Sequence, residues 1–330
     1  FNPAVYPFHK NAEVKLFLLY ANGKPVSRVA AIINHNHNKF HNEKTGFFGF
    51  FECVNSPEAA KYILDAASRF CQEKGMERMR GPMNFSTNDT CGILIEGFDS
   101  PPLIMMPYNP AYYIDLMEKS GFAKAKDLYA YFADYRIKEQ IPRMERLAQR
   151  VTKSSDVVIR NINFKNITND IRVIKHIYNN AWDKNWGFVP MTDGEFDYMA
   201  SDMKKVVDPD LALIAEIGGN PAGFSLALPD YNQIIKKCNG RLFPFGFLHF
   251  LFGKSSIDAV RLLTMGVVHQ YRQKGLDVVF YLESIKRTFA KGYRGGELSW
   301  ILEDNVMMNR ILESIGTKVY KKYRIYERPI

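Results

Sequence analysis

Apolar residues recur along the chain with two periods, and the switching between them lays out an ordered series of strands and helices. Glu13 to Tyr20 and Val26 to Asn34 are short β-rich runs around Ala21-Asn22-Gly23-Lys24, and Asn-Gly between two such runs predicts a tight hairpin. The next ten residues, HNHNKFHNEK, are polar and predict a loop. His35, His37 and His41 there invite a metal reading, which is rejected because only Glu43 is at hand to orient an imidazole. Gly46 to Val54 reads as a strand. Ser56-Pro57 then opens a helix with Ile63, Ala67 and Phe70 on one face and Gly75 as its stop.

The second half repeats this order. Arg261 to Val268 reads as a strand and is followed by a helix carrying Val278, Leu282, Ile285 and Phe289 at helical spacing. Between them lies Arg272-Gln273-Lys274-Gly275, two cations and a glycine at a helix start, where unpartnered backbone N–H groups favour an anion. The first half has Asn55-Ser56-Pro57-Glu58 at that place, an acid and no cation. The halves also match further on: Asn109 to Phe122 and Asp304 to Thr317 align without a gap, each an apolar helix with a closing glycine. Each is followed by a tyrosine-rich strand, DLYAYFADY or KVYKKYRIY. An internal repeat of two α/β units is the simplest account, with boundaries at 1–136 and 156–330. Residues 137–155 form a linking helix, with Ile141, Met144, Ala148 and Val151 inward and a basic outer face.

Within the second unit, Asp156 to Asn163 predicts a strand, Asp170 to Ala181 and Glu195 to Val207 helices, Leu211 to Leu228 a hairpin, and Gly296 to Leu302 a strand. Pro229 to Phe252 is an insertion with the densest aromatic group of the chain, expected either to wall an apolar pocket or to fill the space between the units. In the first unit, Gly81 to Gly92 (GPMNFSTNDTCG) is too polar for a strand. Asn84, Ser86, Asn88 and Asp89, with Tyr108 beyond, are its candidate substrate wall.

Composition adds boundaries. The 330 residues, 46% hydrophobic and 24% charged, suit two globular domains, and no apolar run is long enough for a membrane helix. No signal peptide opens the chain, and Phe1 suggests that its true start is missing. Cys53, Cys71, Cys91 and Cys238 lack metal-type pairing, which points to buried thiols in a reducing cytoplasm. The formal charge of +9 concentrates at Arg136 to Lys153 and at Lys318 to Arg328. Phosphates, an anionic membrane surface or RNA fit such clusters, as does a merely solvated basic face.

HQYRQKGLD resembles the acyl-CoA binding turn of the GNAT N-acyltransferase superfamily, whose pattern is Gln/Arg-x-x-Gly-x-Gly/Ala; Arg272 and Gly275 match, and Asp277 stands at the last small position. The resemblance, extended by the strand, helix and strand that follow, covers nearly the whole C-terminal half. It implies an α/β fold of two tandem units, each a mixed, mostly antiparallel sheet flanked by helices. It also implies acetyl-CoA or a longer acyl-CoA as co-substrate, held by Val267, Val268, Arg272, Gln273, Lys274, Gly275, Leu276 and Asn305, and no metal. The acceptor would be a primary amine, which is mostly protonated at neutral pH and needs a base. Glu303 and Asp304 are placed for that role or for capping the next helix, and Gly266 is expected to mark a bulge that frees a carbonyl-polarising N–H. Related enzymes use a tyrosine as acid where this chain has Leu312, so Tyr320 and Tyr323 are the candidates, or the thiolate leaves unassisted.

A narrower resemblance, to the GNAT-type bacterial ceramide synthases, implies a long-chain amino lipid as acceptor. The alternatives are a noncatalytic acyl-CoA or lipid binder and a tRNA-dependent aminoacyl transferase. The leading reading expects no specific nucleic acid and a cytoplasmic protein, peripheral at the inner membrane face.

Overall fold

The computed structural model describes residues 2–330; the inference made from Phe1 falls on a residue outside the described residues. The chain opens as a hairpin, β1 (Ala12–Ala21) and β2 (Lys24–Asn34), turning through Asn22 and Gly23. Both turn residues have positive φ, 50° and 73°, as a two-residue turn between twisted strands demands. The polar segment that follows is a short helix, α1 (His35–His41), and not a loop. Asn34 caps it at His37 N–H, and Asn42 ends it in the left-handed region. His37 is buried, and burial lowers its pKa to about 4, so it is neutral at physiological pH.

β3 (Thr45–Cys53) leads into α2 (Pro57–Glu73), whose N-cap Ser56 accepts from Ala59 N–H. Ala60, Ile63, Leu64, Ala67 and Cys71 line its buried face. Two short strands, β4 (Arg78–Gly81) and β5 (Ile93–Glu96), precede α3 (Tyr113–Lys119) and β6 (Ala123–Ala133). α4 (Ile141–Ser155) then crosses to the second half, burying Met144 and Ala148 and exposing Arg143, Arg146 and Arg150.

The second half begins with β7 (Val157–Asn161), α5 (Ile167–Ala181) and α6 (Asp193–Met203). The hairpin β8 (Ala212–Ile217) and β9 (Asn220–Pro229) follows, turning at Gly218-Gly219. The insertion carries α7 (Asn232–Ile235) and α8 (Gly246–Phe252). β10 (Ala259–Val267), α9 (Leu276–Ala290), β11 (Gly295–Leu302), α10 (Val306–Ser314) and β12 (Lys318–Pro329) complete the chain. α9 buries Leu276, Val279, Phe280 and Leu282, while Val278, Ile285 and Phe289 are only partly buried. The face drawn from periodicity is rotated because this helix touches both the sheet and α4.

Among the described residues the strands form one 12-stranded sheet in the order β1-β2-β3-β4-β12-β6-β11-β10-β9-β8-β7, with β5 paired to β12. The two halves exchange their closing strands. β12 enters the first half, pairing antiparallel with β4 from Tyr326↔Gly81 to Pro329↔Arg78, and β6 enters the second, pairing antiparallel with β11 from Gly296↔Ala133 to Leu302↔Leu128. β12 and β6 also pair with each other, so each half takes a strand of its own sheet from the other. This exchange accounts for the basic C-terminal run. Lys321 is buried with its ammonium 2.7 Å from Ser100 O and Oγ, Arg328 pairs with Asp65 at 2.7 Å, and Lys322 with Glu96 at 2.9 Å. This cluster is largely neutralised within the fold.

Arg324 makes a two-pronged link, donating Nε to Asp127 Oδ1 at 2.7 Å and Nη2 to Oδ2 at 2.9 Å across β12 and β6. Burial raises the Asp127 pKa, but Arg324 and Lys124 overcome this and hold the carboxyl below its usual range. The pair therefore contributes stability above the unfolded carboxylate pKa of about 3.9, and that contribution is lost as pH falls through the lower folded value. Urea unfolding of Arg324→Ala at pH 7 should show a loss of about 2 to 3 kcal/mol, and the loss should shrink in acid.

Candidate active site

The site starts from a gap between two parallel strands. β10 and β11 pair from Ala259↔Gly295 to Leu262↔Leu298 and no further. At the point where they part, β10 shifts register against β9 between Leu262 and Thr264, and β11 shifts against β6 between Leu298 and Ile301. A notch of about 120 Å³ opens there, with Leu263, Thr264, Met265, Ser299, Trp300 and Ile301 among its walls. Parallel strands that splay expose backbone polar groups to whatever enters. Gly266 is not the expected bulge. It pairs in register with Phe224, and a Cβ there would lie 2.4 Å from the Trp182 indole, so its smallness seats that ring.

The first half has an equivalent parallel pair, β3 and β4, from Thr45↔Arg78 to Phe47↔Arg80. Its gap is filled by its own chain. Met83 N–H donates to Phe48 O at 2.7 Å, Phe50 N–H donates to Asn84 Oδ1 at 2.8 Å, and a Cβ on Gly49 would stand 1.9 Å from Met83 O. Asn84, expected at the substrate, is the plug of this gap.

The notch of the second half runs into a cleft of about 540 Å³ at the start of α9. There Gln273 (φ 62°) and Gly275 (φ 78°) are left-handed, and no side chain caps the helix start. A Cβ on Gly275 would lie 2.7 Å from Val151 of α4, which adds a close approach to the strained φ. Of the residues expected to hold a donor, Val267, Arg272, Gln273, Leu276 and Asn305 line this cleft. Val268 is buried, its N–H on Ala222 O, and the Lys274 ammonium stands 5.3 Å over the Tyr271 ring. Arg272 donates to the carbonyls of Val267 and Ala181, which ties β10 to α5. Lys184 adds a second cation to the cleft, and Asp277 and Asp304 add two carboxylates.

On the inner side of the sheet a cavity of about 260 Å³ lies between the halves. All three tryptophans of the chain, Trp182, Trp186 and Trp300, line it, with Phe196, Met199 and Met203 from α6. Ile174, Phe196, Met199 and Met203 are shared with a smaller apolar cavity of about 80 Å³ beneath α5 and α6, so the space extends deep into the second half. These walls were not singled out from the sequence. The local signal was WDKNWGF, Trp182 to Phe188, three aromatics in a loop too short to form a core of its own.

The polar rim of the cavity comes from the first half. Asn88 donates to Val189 O at 3.0 Å and accepts from Tyr178 at 2.7 Å, joining the 84–90 loop to the second half. Asp89 accepts from Tyr6 at 3.1 Å and from Ser86 at 3.0 Å, and burial pushes its carboxyl up to about 6. Asn88 and Asp89 line the cavity, Ser86 supports them, and Tyr108 is on the surface with its hydroxyl on Phe98 O.

The four residues drawn as catalytic do not meet in one place. Glu303 accepts from Lys124 at 2.5 Å and from Asp127 N–H at 3.0 Å, and so is directed at β6, away from the cleft. Asp304 lines the cleft but pairs with Lys126 at 2.7 Å, and it is Asn305 that caps α10, accepting from Met308 N–H. Tyr320 donates to the buried Glu297, and Tyr323 is wholly enclosed in the core shared by the halves. The aromatic tip of the insertion does neither thing expected of it: Phe243, Phe245 and Phe252 are exposed, and neither the cavity nor the notch is walled by them, while the root, Asp230 and Asn232, bonds to the first half.

No family model matches the chain. It is 35% identical to protein YghO of Escherichia coli K12 over 314 residues, 93% of this chain and 80% of that protein. It is 33% identical to a bacterial ceramide synthase of Caulobacter vibrioides over 338 aligned positions, 99% of this chain and 87% of that enzyme. Among solved structures, a tandem GNAT protein from the clavulanic acid biosynthesis pathway superposes with TM-score 0.56 at 9% identity, covering 98% of this chain and 84% of the other. A GCN5-related N-acetyltransferase from Sphaerobacter thermophilus gives 0.53 at 12% identity, over 95% and 80%. At such identities the two structures speak for the fold alone.

The raised pKa of Asp89 has a measurable consequence. Between about pH 4 and its folded value of about 6, the folded chain keeps a proton that the unfolded chain has released, so stability falls as pH rises through that window. The full effect is about 3 kcal/mol. Chemical denaturation from pH 4 to 7 should show a shallower decline for Asp89→Asn than for the parent chain.

Proposed function

Because the chain belongs to the GNAT-type acyltransferases, in the tandem family that includes the Caulobacter bacterial ceramide synthase, we propose that it transfers a long acyl group from acyl-CoA to a primary amine. The observation that carries this reading is the open notch between β10 and β11, joined at one end to the α9 cleft and bordered by an apolar cavity lined by three tryptophans. The donor's pyrophosphate lies at the uncapped start of α9 with Arg272 beside it, and the thioester enters the notch. Asp277 and Asp304 on the same cleft weaken the hold on a polyanion, so binding relies on the backbone N–H groups and on the acyl chain.

The acceptor ammonium gives a proton to Asp89, which is mostly ionised at neutral pH and a stronger base than an ordinary aspartate. The amine attacks the thioester carbonyl, whose developing charge is met by backbone N–H groups of Leu263 to Met265. The new C–N bond forms, the C–S bond breaks, and the nitrogen passes its second proton through water in the open cleft to the departing thiolate, leaving a neutral amide and a free thiol, while Asp89 returns its proton to solvent. No tyrosine is required, consistent with Leu312 at the place where related enzymes hold one. We place the enzyme in the cytoplasm, a reducing compartment that suits its four free cysteines.

Following free thiol with acetyl-, octanoyl- and palmitoyl-CoA, and with short and long-chain amines, tests the reading. Each buried methylene is worth about 0.8 kcal/mol, so kcat/KM should rise by two orders of magnitude or more from the shortest to the longest donor or acceptor. Equal efficiencies in both series would remove the cavity from the account, and no thiol release with any donor would remove the reaction. Asp89→Asn should lower kcat roughly 100-fold at neutral pH and less at high pH, with acyl-CoA binding unchanged.

A further inference from the structure

We infer that the insertion between β9 and β10 is a docking surface for an anionic lipid bilayer. Its tip is a patch of large apolar side chains in water: Leu242, Phe243, Phe245, Leu251 and Phe252 have exposures of 47%, 73%, 72%, 64% and 77%. Single exposed apolar residues occur elsewhere on the chain, but five within eleven positions of one insertion, three of them phenylalanines, mark a contact site. The patch is built, not frayed. Gln233 and Asp258 clasp its root by two hydrogen bonds of 2.9 and 3.2 Å, Ile234 is fully buried beneath it, and Phe247 N–H closes the tip on Leu242 O at 2.8 Å.

Charge selects the partner. From Tyr231 to Ile257 the sequence holds no acid, and it carries Lys236, Lys237, Arg241 and Lys254. All four are exposed, and none forms an ion pair among the described residues. Lys237 donates to Ser256 Oγ and Lys254 lies over the Tyr231 ring, so none of the four charges is neutralised by an acid, and aromatic and leucine side chains edged by such cations fit the boundary between acyl chains and anionic headgroups. A second copy of the chain fits less well, because a two-fold contact through this patch would set the same four cations against each other. The root also touches the cavity rim: Ile104 N–H donates to Asp230 at 2.9 Å, Asn232 donates to Pro102 O at 2.9 Å, and the neighbouring Met105 is both 38% exposed and part of the cavity wall. Docking would therefore hold that rim near the lipid.

The test is flotation of the full chain with vesicles of phosphatidylcholine alone or of phosphatidylcholine mixed with phosphatidylglycerol, without donor or acceptor, so the outcome does not depend on the acyltransferase reading. The expected result is binding to the anionic vesicles, weakened by salt, and at least tenfold weaker in the variant Phe243→Ser, Phe245→Ser, Leu251→Ser, Phe252→Ser. A second variant, Lys236→Gln, Lys237→Gln, Arg241→Gln, should lose the preference for phosphatidylglycerol while keeping its fold by circular dichroism. Unchanged binding in both variants would overturn the inference. So would a concentration-dependent dimer, seen by light scattering, that the serine variant abolishes while neither protein binds vesicles.

Discussion

Two parallel strands that hydrogen-bond for four residue pairs and then separate make the rest of this structure intelligible. A sheet that opens in its interior leaves backbone N–H and C=O groups facing a gap, a cost that is relieved when chain, water or a ligand pairs with them. The two halves resolve this differently. In the first, Met83 and Asn84 fold into the opening and satisfy β3, which leaves no room even for a Cβ on Gly49. In the second, the gap stays open and is continuous with the cleft where α9 begins. The asymmetry between two copies of one fold thus rests on the course of a few residues after β4.

The strand exchange sets the second constraint. With β12 seated between β4 and β6, the buried aromatics of the closing strand pack under the first half while its helix, α10, stays with the second. The cavity can therefore combine a polar rim, Asn88 and Asp89 from the first half, with the tryptophans and methionines of the second. A carboxylate in that position loses solvation, which is why the Asp89 pKa is raised. The hydrogen bonds from Asn88 to Val189 and from Tyr178 to Asn88 fix the two halves at this rim.

Much of this was readable in the chain, and the failures have physical causes. The Asn22-Gly23 hairpin, the Ser56 cap and the closing glycines at 75, 121 and 316 are local features, and the structure has each of them with the expected backbone. The exchange was not readable, because a helix, a glycine and a tyrosine-rich strand look alike whichever half the strand joins. α1 was missed because asparagine and histidine are poor helix formers, and only the caps at Asn34 and Asn42 reveal it. Glu303 looked like a base from its place at a strand end, but Lys124 lies 179 residues away in sequence and beside it in space. Hydrophobicity located the insertion and said nothing about whether its phenylalanines face a core, a pocket or water.

In the reaction proposed above, the donor occupies the β10–β11 notch with its chain among the tryptophans. A crystal structure with a nonreactive thioether analogue of palmitoyl-CoA tests it most directly. One ligand per chain is expected, its pyrophosphate at Arg272 to Leu276, its sulfur between Leu263–Met265 and Trp300, and its alkyl chain against Trp182 and Trp186. A ligand in the first half near Asn55 to Glu58, or an alkyl chain lying outside the cavity, would contradict it.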